Sequence, residues 1–183
     1  AAVIHPNNVK RVVRAIEICR TTGHTKTEVD RMQLAADSPY RECRILLTYH
    51  DRAVLYDRIN RRVDQMLSAG LLEEAKRVLG ISGDTEPSQT AMQAIGYKEL
   101  LPYFRGECTL SEAADAIRQS SRNYAKRQMT WFRRSHGYCL FCDTDTGTMR
   151  PAEEIFAEAY RTVETFLTDP DAYDAMTEKE SCP

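Results

Sequence analysis

Leu110-Ser111-Glu112-Ala113-Ala114-Asp115-Ala116-Ile117-Arg118-Gln119-Ser120-Ser121-Arg122-Asn123-Tyr124-Ala125-Lys126-Arg127-Gln128-Met129-Thr130-Trp131-Phe132-Arg133-Arg134 contains no glycine or proline, and neither residue follows until Gly137. The run predicts one long helix that starts near Ser111, with Glu112 in its first turn. At about 100° per residue, Arg118, Arg122, Lys126 and Arg133 project onto one stripe. Leu110, Ile117, Tyr124, Trp131 and Phe132 form an adjacent apolar arc. From Arg118 to Arg134 there are six basic residues and no acid. A helix packed on one side with a positive ridge on the other suits phosphates. A charge run can equally be a solvated face, but a solvated face usually interleaves acids.

Outward from this helix the chain reads as mainly α with two or three short strands. Val9, Val12, Val13 and Ile16 fall on one arc of a helix over 6–22, stopped by Gly23. Residues 23–42 are polar and turn-rich, and predict a connecting loop. Arg44–Tyr49 is a short apolar run, read as a buried strand. Asp51 can cap a helix to about Ala69, which Gly70 ends. Leu71–Leu79 predicts another helix, 81–89 a loop, and Ala91–Phe104 a weak helix around Gly96. Tyr138–Cys142 predicts a second strand, 143–147 a turn, and Pro151–Leu167 a last helix. The acidic tail, 169–183, is expected to be disordered. Two strands are too few for an independent sheet, so they are expected to belong to a larger one.

Composition narrows the class. The 183 residues are 42% hydrophobic and 28% charged, as in an ordinary globular chain. No apolar run is long enough to span a membrane. The first residues lack the basic and apolar regions of a signal peptide, and the absence of a starting methionine leads us to expect a segment of a larger protein. Residues 1–142 carry 22 Lys/Arg against 16 Asp/Glu, whereas 143–183 carry 3 against 11. The basic body fits an anionic partner, but on charge alone a solvated surface with a loose acidic end is the plainer reading. Without a secretion signal, the six cysteines are expected as reduced thiols in the cytoplasm. Cys139 and Cys142 form a C-x-x-C, but only His136 stands near as a further ligand, so a buried thiol pair is expected rather than zinc.

The helix from Asp51 holds an anomaly. Leu55, Tyr56, Ile59, Val63 and Met66 share one arc; Arg62 falls inside it, between Arg58 at its edge and Leu55. Asp57, Asn60, Arg61 and Asp64 project to the wet side. An arginine on an inward face must find a partner. Either that partner is a structural carboxylate, or the side chain snorkels out to water, or it is presented to a phosphate, which the planar guanidinium fork fits well. Gly96, ahead of Tyr97 and Lys98, suggests a close backbone approach by another group.

Four blocks then resemble one family in order. His5-Pro6-Asn7 with Lys10–Glu17, Leu55–Leu67 with Gly70-Leu71 and Glu74, Ile95–Glu99, and Ser121–Trp131 are similar to the signatures of the tRNA dimethylallyltransferases. Asn8, Ser121 and Asn123 replace the usual Asp, Thr and Gln. The match covers only the C-terminal half of that family. No G-x-x-x-x-G-K-S/T occurs in the 183 residues, and the half holding the P-loop and the aspartate taken as general base is not represented.

The resemblance implies a parent with an α/β P-loop core and a helical insertion domain. It implies transfer of a dimethylallyl group from dimethylallyl diphosphate to N6 of an adenine beside the tRNA anticodon, with magnesium assisting. Arg62 takes the place of the family's catalytic arginine. Lys10, Arg11, Arg14, Gln93, Gly96, Tyr97 and Lys98 take the places of tRNA contacts. Arg58, Arg122, Lys126, Arg127 and Gln128 would line the channel or grip phosphates, and no metal ligand lies in this chain. Residues 1–42 would end the insertion domain and return from it, and 43–168 would belong to the catalytic core. The parent is expected to be monomeric, cytoplasmic and bound to the anticodon stem-loop, with no membrane contact. The chain alone is expected to be inactive. An adenylate isopentenyltransferase and a non-catalytic helical RNA-binding module are the other readings.

Overall fold

The computed structural model describes residues 7–35, 40–81, 83, 90–133 and 135–178. The chain divides into two units, 1–42 and 43–183. In the first, α1 (Val9–Thr22) is capped by Asn8, whose Oδ1 accepts the Arg11 N–H at 3.3 Å. It ends at Gly23, which adopts a left-handed φ of 73° and returns its N–H to the Cys19 carbonyl. A second helix, α2 (Lys26–Ala35), stands where a connecting loop was expected. A reciprocal cap explains it: the Thr25 N–H and hydroxyl both donate to Glu28 Oε2, at 2.7 and 2.8 Å, and the Glu28 N–H donates to Thr25 Oγ1 at 3.3 Å. Lys26 adds an ion pair with Asp30 one turn on, at 2.6 Å. The polar composition of this stretch is that of a short exposed helix. His5 and Pro6 lie outside the described residues.

The second unit has two packed regions. In one, β1 (Ile45–Thr48) pairs in parallel with β2 (Tyr138–Phe141), with Ile45 opposite Tyr138 and Thr48 opposite Phe141. The two strands expected as parts of a larger sheet are thus each other's neighbours. A parallel pair needs a long crossover, which the helical segment between them supplies. Gly137 makes the approach possible: a Cβ there would lie 2.9 Å from both the carbonyl oxygen and the Cβ of Arg44. Two helices, α7 (Ala152–Thr168) and α8 (Pro170–Glu178), pack on β2.

The finding of α8 corrects the expectation of a disordered tail from 169. Its anchor is Tyr173, which is buried, meets Phe166 edge-on at 5.1 Å and accepts the Arg44 N–H at 2.9 Å. One aromatic with a polar tip supplies the burial that the acidic composition conceals. Cys139 is disulfide-bonded, whereas Cys19, Cys43, Cys108 and Cys142 carry free thiols. The C-x-x-C is therefore one bonded and one free sulfur, not the expected pair of reduced thiols.

The other region is all helical. It joins α3 (Arg52–Ser68), α4 (Leu71–Val78), a 3-10 turn (Ala91–Gln93), α5 (Leu101–Phe104) and α6 (Leu110–Phe132). Val63, Leu71, Ala75, Leu79, Leu100, Ala113 and Ile117 form its buried core. The weak helix expected over 91–104 breaks at Gly96, whose φ of 106° no helix accommodates. The start of α6 is fixed by a capping box between Thr109 and Glu112. Among the described residues no helix is long and apolar enough to cross a membrane.

Candidate functional site

The site begins where β1 hands over to α3. Asp51 caps α3 by accepting the Ala53 N–H at 2.8 Å. The turn itself is held by Asp143, just beyond β2. Its fully buried carboxylate accepts the N–H groups of His50 at 2.8 Å and Asp51 at 3.0 Å. A buried carboxylate satisfied by backbone donors is a rigid strut, and here it ties the end of the sheet to the start of α3.

The arginines of α3 then face a hollow of about 400 Å³. Tyr49, Arg58, Arg61, Arg62 and Gln65 rim it, and Leu55, Ile59 and Met149 supply apolar floor. Arg61 is neutralised by Asp57 one turn away. Arg58 and Arg62 have neither an ion pair nor a hydrogen bond among the described residues. Burial pushes the Tyr49 hydroxyl and the Cys142 thiol up from their usual ranges, while the nearby positive charge of Arg58 works the other way on both. Arg62 was expected on an inward face. It is exposed, because the arc it belongs to is only partly covered: Val63 is buried, but Leu55, Ile59 and Met66 are half-buried. The angular position was legible; the covering was not.

Arg62 also borders a larger hollow of about 780 Å³, between α3, Ile95 and the face of α6 formed by Ser121, Tyr124, Ala125 and Gln128. The positive ridge expected on α6 is split by this packing. Arg118 bonds Asp64 of α3 and Asp115, and Arg122 donates to Asn60 at 2.6 Å and to Gln119 at 2.8 Å. Asn60 and Asp64, expected on a wet side, are thus the polar seam between α3 and α6. Arg122 serves that seam rather than a free phosphate site. Lys126 and Arg127 remain exposed on the next turns, and Gln128 reaches the hollow.

The turn at Gly96 borders a third hollow of about 310 Å³, lined by Met66, Glu74, Ala94, Ile95 and Tyr97. The Gly96 N–H donates to Glu99 Oε2 at 2.9 Å, and the Tyr97 hydroxyl donates to Glu74. That bond to a carboxylate raises the Tyr97 hydroxyl above its usual range. Lys98 approaches Glu99 Oε1 at 3.6 Å and stays half-exposed, and Gln93 is exposed nearby. On α1, Lys10, Arg11 and Arg14 are exposed, with Arg14 paired to Glu17 at 3.1 Å.

Asp143, Glu99, Tyr49 and Tyr124 escaped the sequence reading as contributors to these surfaces. Asp143 and Tyr49 act across the pairing of two distant strands, and Glu99 acts on a non-helical turn. No local pattern announces either. Among the described residues no group of three or more His, Cys, Asp or Glu side chains is placed to hold a metal ion.

Comparison with known proteins adds the following. Residues 1–135 match the model of a family described as IPP transferase. The tRNA dimethylallyltransferase of Halalkalibacterium halodurans is 49% identical over 157 residues, covering 85% of this chain and 48% of that protein. That of Bacillus subtilis is 50% identical over 133 residues, covering 73% and 41%. The chain therefore spans less than half the length of these curated relatives. A crystal structure of the full-length tRNA isopentenylpyrophosphate transferase from Bacillus halodurans superposes with a TM-score of 0.61 at 40% identity, covering 95% of this chain and 50% of that one. A eukaryotic dimethylallyltransferase shares the fold, with a TM-score of 0.68 at 24% identity, over 91% and 42% of the two chains.

Proposed function

The chain belongs to the IPP transferase family, and on that premise we propose that it supplies the tRNA-gripping and leaving-group side of a tRNA dimethylallyltransferase. The reaction moves a dimethylallyl group from dimethylallyl diphosphate to N6 of an adenine beside the anticodon. The amine nitrogen forms a bond to the allylic carbon, the carbon–oxygen bond breaks, and diphosphate leaves with the electron pair. The proton lost from N6 goes to a base that the family places outside these residues.

The observation that carries this reading is the contrast within α3. Arg58 and Arg62 stand without carboxylate partners on one hollow, while Arg61 between them is neutralised by Asp57. Two free guanidiniums over an apolar floor suit a small molecule with a charged diphosphate and an apolar allyl tail. Their bonds strengthen as charge builds on the departing oxygens, which is what makes such contacts catalytic. The adenine must leave its stack to reach the donor, and the larger hollow between α3 and α6 gives it a route past Gln128 and Arg62. Lys10, Arg11 and Arg14 on α1, and Gln93, Gly96, Tyr97 and Lys98 at the Gly96 turn, are the proposed contacts to the anticodon stem-loop. Lys126 and Arg127 extend the phosphate grip, and the enzyme works in the cytoplasm as a monomer. Magnesium assists reactions of this family when bound, and no step here runs through it.

The test is binding of inorganic diphosphate to the purified chain, followed by calorimetry. Arg62→Ala and Arg58→Ala are expected to weaken it at least tenfold, and Arg61→Ala by less than twofold. Equal losses from all three would show general electrostatics and no built site.

A further inference from the structure

Past the larger hollow, α6 carries a feature that catalysis does not use. Tyr124, Arg127 and Trp131 lie three and four residues apart, on one side of the helix. Tyr124 is 48% exposed and Trp131 66% exposed. The Arg127 guanidinium lies over the Tyr124 ring at 5.6 Å, and the Trp131 and Phe132 rings meet in a T-shape at 5.4 Å. An exposed indole of this extent is unusual, since tryptophan is buried in most folds.

The surroundings say what would cover it. Lys126 and Arg133 flank the row, and neither has an ion pair among the described residues. No acid occurs on α6 beyond Asp115. Aromatic faces interleaved with cations, with no carboxylate, are the chemistry of an unpaired nucleic-acid strand: bases stack on the rings and phosphates meet the cations. The exposed apolar row of α7, Phe156, Tyr160, Val163 and Leu167, stands by contrast beside Glu153 and Glu164 and would repel RNA.

We propose that Tyr124, Arg127 and Trp131 form a stacking platform for an unpaired loop base, one different from the adenine that reacts. The platform rests on the tRNA reading and deepens it. Tyr124 borders the hollow and Trp131 lies two turns further on, so the strand would run along α6 away from the reacting position.

Trp131 is the chain's single tryptophan, so its fluorescence reports on the platform directly. Three RNA probes carrying a distal dye are titrated into the chain: a seventeen-nucleotide anticodon stem-loop (on the order of one anticodon arm), the same hairpin with abasic loop positions, and a blunt duplex with equal phosphates. Dye anisotropy reads binding. The stem-loop is expected to bind and to quench Trp131 at least twofold. The abasic hairpin and duplex are expected to bind more weakly and leave emission unchanged. Tyr124→Leu should weaken stem-loop binding by between about fivefold and a hundredfold while leaving the abasic affinity within twofold. Trp131→Leu, read by anisotropy, should do the same, with unchanged circular dichroism showing that both variants fold. Equal binding of all three probes without quenching would overturn the platform and leave the tRNA reading standing. No binding of any probe would overturn both. Emission that shifts with chain concentration and not with RNA would assign the face to protein contact and overturn the platform.

Discussion

Arg62 and Arg61 are adjacent in sequence and opposite in circumstance: one is free on a hollow and one is tied to Asp57. In a full-length enzyme carrying these residues, Arg62→Ala is expected to slow single-turnover transfer by a hundredfold to a thousandfold, about 3–4 kcal/mol, with tRNA affinity nearly unchanged. Arg62→Lys should recover only part of this, because an ammonium lacks the planar fork. Arg61→Ala should transfer at close to the wild-type rate; a loss as large as that of Arg62→Ala would refute the assignment. Two glycines separate conformational from steric cost. Gly96→Ala meets open space but must hold a φ of 106°, and should cost about 1–2 kcal/mol in urea unfolding. Gly137→Ala meets Arg44 at 2.9 Å and should cost more, since β1 and β2 must part to admit it. Helical projection placed Arg62 on the correct side of α3, but only the tertiary covering decides whether that side is buried.

At the scale of elements, caps and periodicity made α1, α3, α4, α6 and α7 legible, because each pairs an apolar arc with a stop or start residue. Two helices escaped. In α2 the apolar arc is weak and the cap does the work, so Thr25→Ala is expected to lower the stability of that helix by about 1 kcal/mol. Exchange of the backbone amides of residues 26–35 would show it. In α8 a single buried Tyr173 anchors an acidic segment. Tyr173→Phe keeps the ring but removes the hydroxyl that accepts the Arg44 N–H at 2.9 Å and donates to the Arg44 carbonyl at 3.3 Å, and should cost about 1–3 kcal/mol. Burial raises the Tyr173 hydroxyl above its usual value. The folded state thus favours the neutral phenol. This contribution is complete below the unfolded pKa of about 10 and is lost as the pH climbs through the higher folded value. The Tyr173→Phe variant should lack that alkaline loss. The parallel pairing of β1 with β2, and the diversion of Arg118 and Arg122 to α3, were invisible locally because both partners lie far away in sequence.

Over the whole molecule, Arg58 and Arg62 on α3 and the exposed cations of α1 and α6 are the proposed holders of a leaving diphosphate and of RNA, while the family's P-loop motif does not occur in the 183 residues. Binding and chemistry should therefore separate. The most direct test incubates the purified chain with labelled dimethylallyl diphosphate, magnesium and an anticodon stem-loop, and follows both RNA retention and label transfer across a salt series. Retention is expected to fall steeply with salt, as phosphate contacts release counterions, with no label reaching the RNA. Transfer of label by this chain, or a complete failure to retain RNA at low salt, would contradict the assignment.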